Sequence, residues 1–221
     1  MNDELNKNVM KSGTSIVGLV FKEGIIMAGD RRSTAGNLVM SKNTPKVVKI
    51  TDYIAFSGTG VSSDIQMLKK IVAAELKLKE LRSKQRPTVK EAANLIAMIS
   101  FKNIRQFSTI PSIAGTLVGG YNKDGSAELY TVEPAGGISK VEDYDANFSS
   151  GMPFILGLLE RQYKKDMPLK EAVELAVECI KSSTQRDIAS GHGIDVFTIT
   201  KEGINHVVKQ TIEPEYREEK K

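Results

Sequence analysis

Thr14-Ser15-Ile16-Val17-Gly18-Leu19-Val20-Phe21, then Lys22-Glu23-Gly24, then Ile25-Ile26-Met27-Ala28-Gly29, decides how the rest of the chain is read. Two apolar runs rich in β-branched residues flank a short turn that ends in glycine. β-Branched side chains fit a pleated surface and glycine supplies the turn conformation, so the stretch predicts a β-hairpin. Before it, Met1 to Gly13 carries no comparable run and lacks the apolar stretch of a secretory signal, so it reads as a polar extension.

Working outward, Val47 to Ile50 and Tyr53 to Ser57 form a second hairpin around Thr51-Asp52, expected to join the first in one sheet. Val61, Ile65, Leu68 and Val72 then recur at helical spacing, with Ser62 or Ser63 placed to cap. A second helix opens at Pro87-Thr88-Val89-Lys90-Glu91, where Thr88 and Glu91 have capping-box spacing. The order repeats: strands Ala114 to Tyr121 and Ala127 to Glu133, and a short strand near Tyr144 to Phe148. After them come a helix opening at Pro153, a helix from Leu169 to Ser183, and a hairpin of Ile194 to Thr200 and Ile204 to Val208. Helices arriving in pairs between groups of strands do not suit a parallel doubly wound sheet. They predict an α+β fold, a four-layer αββα sandwich of two antiparallel sheets flanked by helix pairs.

The 221 residues, 40% hydrophobic and 26% charged, suffice for a single core and show no composition break. The 31 basic and 27 acidic residues are interleaved and give a net charge of only +4, which argues against nucleic acid as a partner. No apolar run approaches the ~18 to 20 residues of a membrane span. Cys179 is the single cysteine, so no intrachain disulfide forms and a reducing compartment fits; its apolar neighbours Leu175, Ala176 and Ile180 mark it as a core residue. The charged end, Glu213 to Lys221, reads as a solvated tail.

Few residues advertise chemistry by themselves. His192 and His206 have no Ser, Cys or carboxylate at a triad or metal spacing and read as loop or surface residues. Asp30-Arg31-Arg32 reads as a solvated mixed-charge turn; Ser57-Gly58-Thr59-Gly60 suits either a phosphate cradle, though no Gly-Lys-Ser/Thr follows it, or a backbone turn whose N–H groups face a developing anion. A threonine that starts a strand, as Thr14 does after Gly13, is ordinarily a β-former.

Taken in order, however, Thr14-Ser15-Ile16-Val17-Gly18, Gly29-Asp30-Arg31-Arg32-Ser33-Thr34, Lys46, Ser57-Gly58-Thr59-Gly60, Ser149-Ser150-Gly151 and Gln185-Arg186-Asp187-Ile188-Ala189-Ser190-Gly191 resemble the proteasome β-subunit family across nearly the whole chain. The resemblance implies the αββα fold of N-terminal nucleophile hydrolases and a threonine endopeptidase that degrades unfolded polypeptide. It implies a propeptide, residues 1–13, cut at Gly13-Thr14, a β domain over 14–212 and a tail over 213–221. Thr14, Asp30 and Lys46 match the catalytic set, with Ser150, Asp187 and Ser190 in support. Gly60 matches the oxyanion donor, and Ser33, Thr34, Gly58 and Ser62 match the substrate cleft.

The same resemblance implies sibling β subunits in a seven-membered ring, an α-subunit ring, an ATP-dependent unfoldase acting through that ring, a cytoplasmic setting, and no metal or organic cofactor. Ser15 and Met152 depart from the commonest pattern, where threonine and a small polar residue are frequent. A catalytically silent ring member that keeps its extension is the alternative the sequence leaves open.

Overall fold

A computed structural model describes residues 13–108, 112–215 and 218. In chain order it contains β1 (Ile16–Phe21), β2 (Gly24–Asp30), β3 (Ser33–Ala35), β4 (Leu38–Ser41), β5 (Val47–Lys49) and β6 (Ile54–Gly60). Helices α1 (Ser62–Ser83) and α2 (Val89–Arg105) follow, then β7 (Ala114–Tyr121), β8 (Ala127–Val132), β9 (Ile138–Val141) and β10 (Tyr144–Asp145). The chain continues through α3 (Met152–Gln162), α4 (Leu169–Thr184), β11 (Gly193–Thr200) and β12 (Gly203–Thr211). The extension before Gly13 and most of the tail after Glu215 lie outside the described residues.

The strands make two five-stranded antiparallel sheets, ordered β10-β1-β2-β11-β12 and β5-β6-β7-β8-β9, and a small β3-β4 hairpin. Because side chains alternate along a strand, each sheet buries both faces. Val17, Leu19, Ile26 and Ala28 of the first sheet pack on Ala172, Leu175, Ala176, Cys179 and Ile180 of α4. Ile16, Ile25 and Met27, on the other face, meet Val47, Ala55, Leu117 and Leu129 of the second sheet. That sheet's far face, Ile54, Phe56 and Val118, packs on Leu68, Val72 and Leu76 of α1 and Ala92, Ala93 and Ile96 of α2. The result is the four-layer αββα sandwich, and double burial explains why β1 and β2 read as continuous apolar runs.

Several sequence expectations need correction. The β1-β2 and β5-β6 hairpins do not share a sheet; they face each other across the middle layer, since each has two apolar faces to cover. Neither Ser62 nor Ser63 caps α1, whose N-cap is Val61 with no side-chain hydrogen bond, Ser62 being already helical. The Thr88–Glu91 capping box is present in full. The strand near 144–148 is only Tyr144–Asp145, and β3, β4 and β9 are additional. All three are short, β4 and β9 are largely exposed and β3 is the polar run Ser33-Thr34-Ala35, so no apolar alternation marked them.

Strand register assembles one end of the sandwich. Ile16 pairs with Gly29, which sets the residues before β1 beside Asp30, and Ile194 pairs with Asp30 from the other side. The loops entering β1 and β11 and leaving β2 therefore meet.

Candidate active site

Thr14 sits at this meeting point, buried, two residues before β1's first pair. Its N–H donates to Ser150 Oγ at 2.9 Å, and its carbonyl accepts from the Gly151 N–H at 3.3 Å. Ser150 Oγ lies 2.6 Å from Asp187 Oδ2 and 3.0 Å from the Thr14 carbonyl, and its single proton favours the shorter, charge-assisted bond. Ser190 Oγ donates to the same carboxylate oxygen at 2.6 Å, and Ser15 Oγ lies 2.7 Å from Ser190 Oγ. A hydroxyl chain thus converges on Asp187 from both sides and fixes the Thr14 nitrogen. The Thr14 hydroxyl makes no hydrogen bond among the described residues.

Asp30 ends β2 fully buried, so the expectation of a solvated turn is wrong for it and for Arg31, 8% exposed. Its Oδ1 accepts from the Ser15 N–H at 3.0 Å; Oδ2 accepts from the Arg32 N–H at 2.8 Å and the Gly191 N–H at 2.9 Å. Burial pushes its pKa up to about 6, against the opposing pull of the Lys46 charge and of the three backbone donors. Burial likewise lowers the Lys46 pKa, with the Asp30 charge opposing. No ion pair joins Asp30 to Lys46: the carboxylate is committed to backbone, and the Lys46 ammonium has no hydrogen-bond partner among the described residues.

Thr14, Lys46, Gly58, Gly60 and Ser62 line one cleft. Gly60 has φ +115°, and a Cβ there would strike the Ile113 carbonyl, so glycine is required at the cleft wall. A Cβ on Gly58 would sit 2.6 Å from Ile65, so the missing side chain leaves the cleft open above that residue. Ser33 and Thr34 border the site on β3 without lining this cleft; Thr34 Oγ1 accepts from the Gly13 N–H at 3.2 Å. Gly13 itself is boxed in, because a Cβ would overlap Ala189 and lie 2.8 Å from Ser150 Oγ.

Sequence reasoning missed Thr44, Val48, Phe56, Gln66 and Lys69, which also line the cleft and come from β5, β6, α1 and the loop before β5. It also missed both histidines' partners. His206 contacts Asp195 Oδ1 at 2.9 Å, and Asp195 Oδ2 accepts from Arg31 Nε at 3.0 Å. Arg32 Nε donates to His192 Nδ1 at 3.0 Å. The Arg32–His192 contact spans 160 residues of sequence, whereas His206 and Asp195 meet across the β11-β12 hairpin. Among the described residues no cluster of His, Cys, Asp or Glu could hold a metal ion.

The four-layer sandwich, with a buried threonine just before its first strand and a lysine in the cleft that threonine lines, has the fold of the N-terminal nucleophile hydrolases. Comparison with known proteins narrows the class. A family model described as Proteasome subunit matches residues 10–199. The chain is 38% identical over 191 residues to proteasome subunit beta of Nanoarchaeum equitans, covering 86% of this chain and 95% of that one. It is 39% identical over 201 residues to proteasome subunit beta of Ferroglobus placidus, covering 91% and 93%, and 36% identical over 212 residues to that of Methanopyrus kandleri, covering 96% of each. The chain belongs to the proteasome subunit family, as a β subunit with a protease role in the proteasome core. No helix among the described residues is long and apolar enough to cross a membrane.

Proposed function

We propose that the chain is the precursor of a threonine endopeptidase subunit, with Thr14 as nucleophile once the Gly13-Thr14 bond is cut. The observation that carries this reading is the contrast within Thr14: its nitrogen is held by Ser150 while its hydroxyl is uncommitted, in the cleft that holds the unpartnered Lys46 ammonium.

A threonine hydroxyl needs a base beside it. In the mature chain the Thr14 α-amine serves, because a free α-amine titrates near ~8, well below an ordinary lysine at ~10.4. Lys46, cationic in the same cleft, favours the neutral amine through like-charge repulsion. The Thr14 oxygen attacks the scissile carbonyl, its proton passes to the amine, and the oxyanion that forms faces the Gly60 N–H. One such donor is worth about 100 to 1000 fold in rate. The leaving peptide amine takes the proton, the acyl group stays on Thr14 oxygen, and water activated by the same amine releases it.

In the precursor the Thr14 nitrogen is an amide and cannot act as base. The Thr14 hydroxyl attacks the Gly13 carbonyl, the Gly13-Thr14 C–N bond breaks, and the hydroxyl proton ends on the Thr14 nitrogen, since the Lys46 ammonium cannot accept it. An N-to-O shift gives an ester that water cleaves, releasing residues 1–13. The tight enclosure of Gly13, with its N–H on Thr34, supports its role as the cleavage-site residue.

Partners are sibling β subunits in a ring, an α ring and an unfoldase acting through it, in the cytoplasm. Exposed apolar side chains such as Met67 and Leu81 of α1, Met98 and Phe101 of α2 and Leu38 of β4 are available for such contacts. The test is peptide hydrolysis by rings assembled with this subunit alone. Wild type and Thr14→Ser should hydrolyse unfolded peptide and Thr14→Ala should not. Assembled wild-type rings without activity would instead make the chain the silent ring member.

A further inference from the structure

His192 stands on the loop that carries Asp187, Ser190 and Gly191, and it adopts a left-handed backbone with φ +62°. Glycine would be the unstrained choice there, so the histidine side chain calls for an explanation. Its Nδ1 accepts from Arg32 Nε at 3.0 Å, while Arg32 NH1 donates to the Ile188 carbonyl at 2.6 Å. The guanidinium also covers the Gly191 Cα so closely that no Cβ would fit, and the Arg32 and Gly191 N–H groups share Asp30 Oδ2. Arg32 forms no ion pair with a carboxylate among the described residues; a neutral ring nitrogen takes that place.

We propose that His192 is a positioning residue of the catalytic centre. Through Arg32 it locks the 187–191 segment, and so Asp187, Ser190 and the Gly191 N–H, against Thr14 and Asp30, and only the neutral imidazole can do this. An imidazolium has N–H on both nitrogens and cannot accept from Arg32. Cations act on the ring from three elements, Arg32 after β2, Lys42 after β4 and Lys181 of α4, while the Asp30 carboxylate lies behind it on the Arg32 and Gly191 N–H groups and Asp187 stands on the same loop. Gln185, Gln210 and Thr211, which also line it, are neutral, and no carboxylate does. Burial first, then the Arg32 and Lys42 charges, lower the His192 pKa and keep the brace closed at neutral pH. On acidification the ring gains a proton and the brace opens.

The inference rests on the proposed protease activity, so its test has one arm within that activity and one outside it. In assembled, matured protein, His192→Ala should lower kcat about tenfold at pH 8 with KM little changed, as expected of lost alignment rather than lost substrate contact. His192→Asn tolerates the left-handed backbone and offers an oxygen to Arg32 without titrating. It should recover most of the kcat lost in His192→Ala, and its acid limb should lie at lower pH than that of wild type.

Independently of activity, hydrogen-exchange mass spectrometry of the full chain should show the Arg32 and Gly191 amides losing more protection at pH 5 in wild type than in His192→Asn, the part common to both being the titration of Asp30. Unchanged kcat in His192→Ala overturns the proposal, as does an Asn profile that overlays wild type or equal protection in all three proteins. Absence of hydrolysis in wild type would count against the protease reading, and the exchange arm would still decide the brace.

Discussion

Two buried acid–base pairs begin at adjacent residues, Asp30 and Arg31, and they are built differently. Arg31 and Asp195 touch at 3.0 Å, and the second Asp195 oxygen meets His206 at 2.9 Å, so every charge in that group has a partner. Asp30 and Lys46 do not touch: one is tied to three backbone N–H groups, the other is unpartnered, and burial shifts both toward neutrality. A buried charge with its partner in contact holds the chain together. A buried charge kept from contact is destabilising by itself and marks a site where chemistry uses it.

The sharpest way to break this comparison is to remove one member of each pair. Lys46→Met should cut peptide hydrolysis about a thousandfold, within the range for loss of a proton-handling group, while leaving the thermal midpoint unchanged or higher. A large loss of stability would place Lys46 with the structural pair. Asp195→Ala leaves the Arg31 guanidinium buried without its carboxylate and should cost about 3 to 5 kcal/mol in urea unfolding. Near-native stability there would mean that the pair is not what holds β11 to the end of β2.

The pairs should also separate by pH. With a folded pKa of about 6 against an ordinary 3.8, Asp30 binds its proton more tightly in the folded chain. Its contribution to stability is therefore complete below pH 3.8 and lost as pH rises through about 6, a change of about 3 kcal/mol. In the proposed mechanism Lys46 is cationic, which the Asp30 anion favours, so activity should rise over the same window. Urea midpoints of wild type and Asp30→Asn from pH 4 to 8 check the sign: the wild-type advantage should shrink as pH rises.

The two helix pairs extend the contrast to a region remote from the site. Thr88→Ala removes one half of the α2 capping box and should cost about 1 kcal/mol without changing kcat.

The same division explains what could be read from sequence. Local chemistry was legible: the β1-β2 hairpin, the Thr88–Glu91 cap and the core position of Cys179 follow from neighbours along the chain. That the two hairpins face each other instead of pairing was not, because a doubly buried strand reads the same in either arrangement. Thr14, Asp30 and Lys46 gained meaning only as parts of a family pattern, since neither a strand-leading threonine nor a mixed-charge turn is unusual alone. Asp30-Arg31-Arg32 looks like surface, and its burial depends on Asp195 and the 187–192 loop, more than 150 residues away in sequence. His192 was illegible for the same reason, its partner Arg32 lying 160 residues away, whereas the His206–Asp195 contact lies within the β11-β12 hairpin and depends on its register.

The free hydroxyl and held nitrogen of Thr14 are, on this reading, a nucleophile waiting for its own amine, and intact mass spectrometry of the assembled protein decides it. The wild-type chain should begin at Thr14, with residues 1–13 lost, and the Thr14→Ala chain should keep them. A wild-type chain still carrying Gly13 in an assembly that hydrolyses peptides would contradict it.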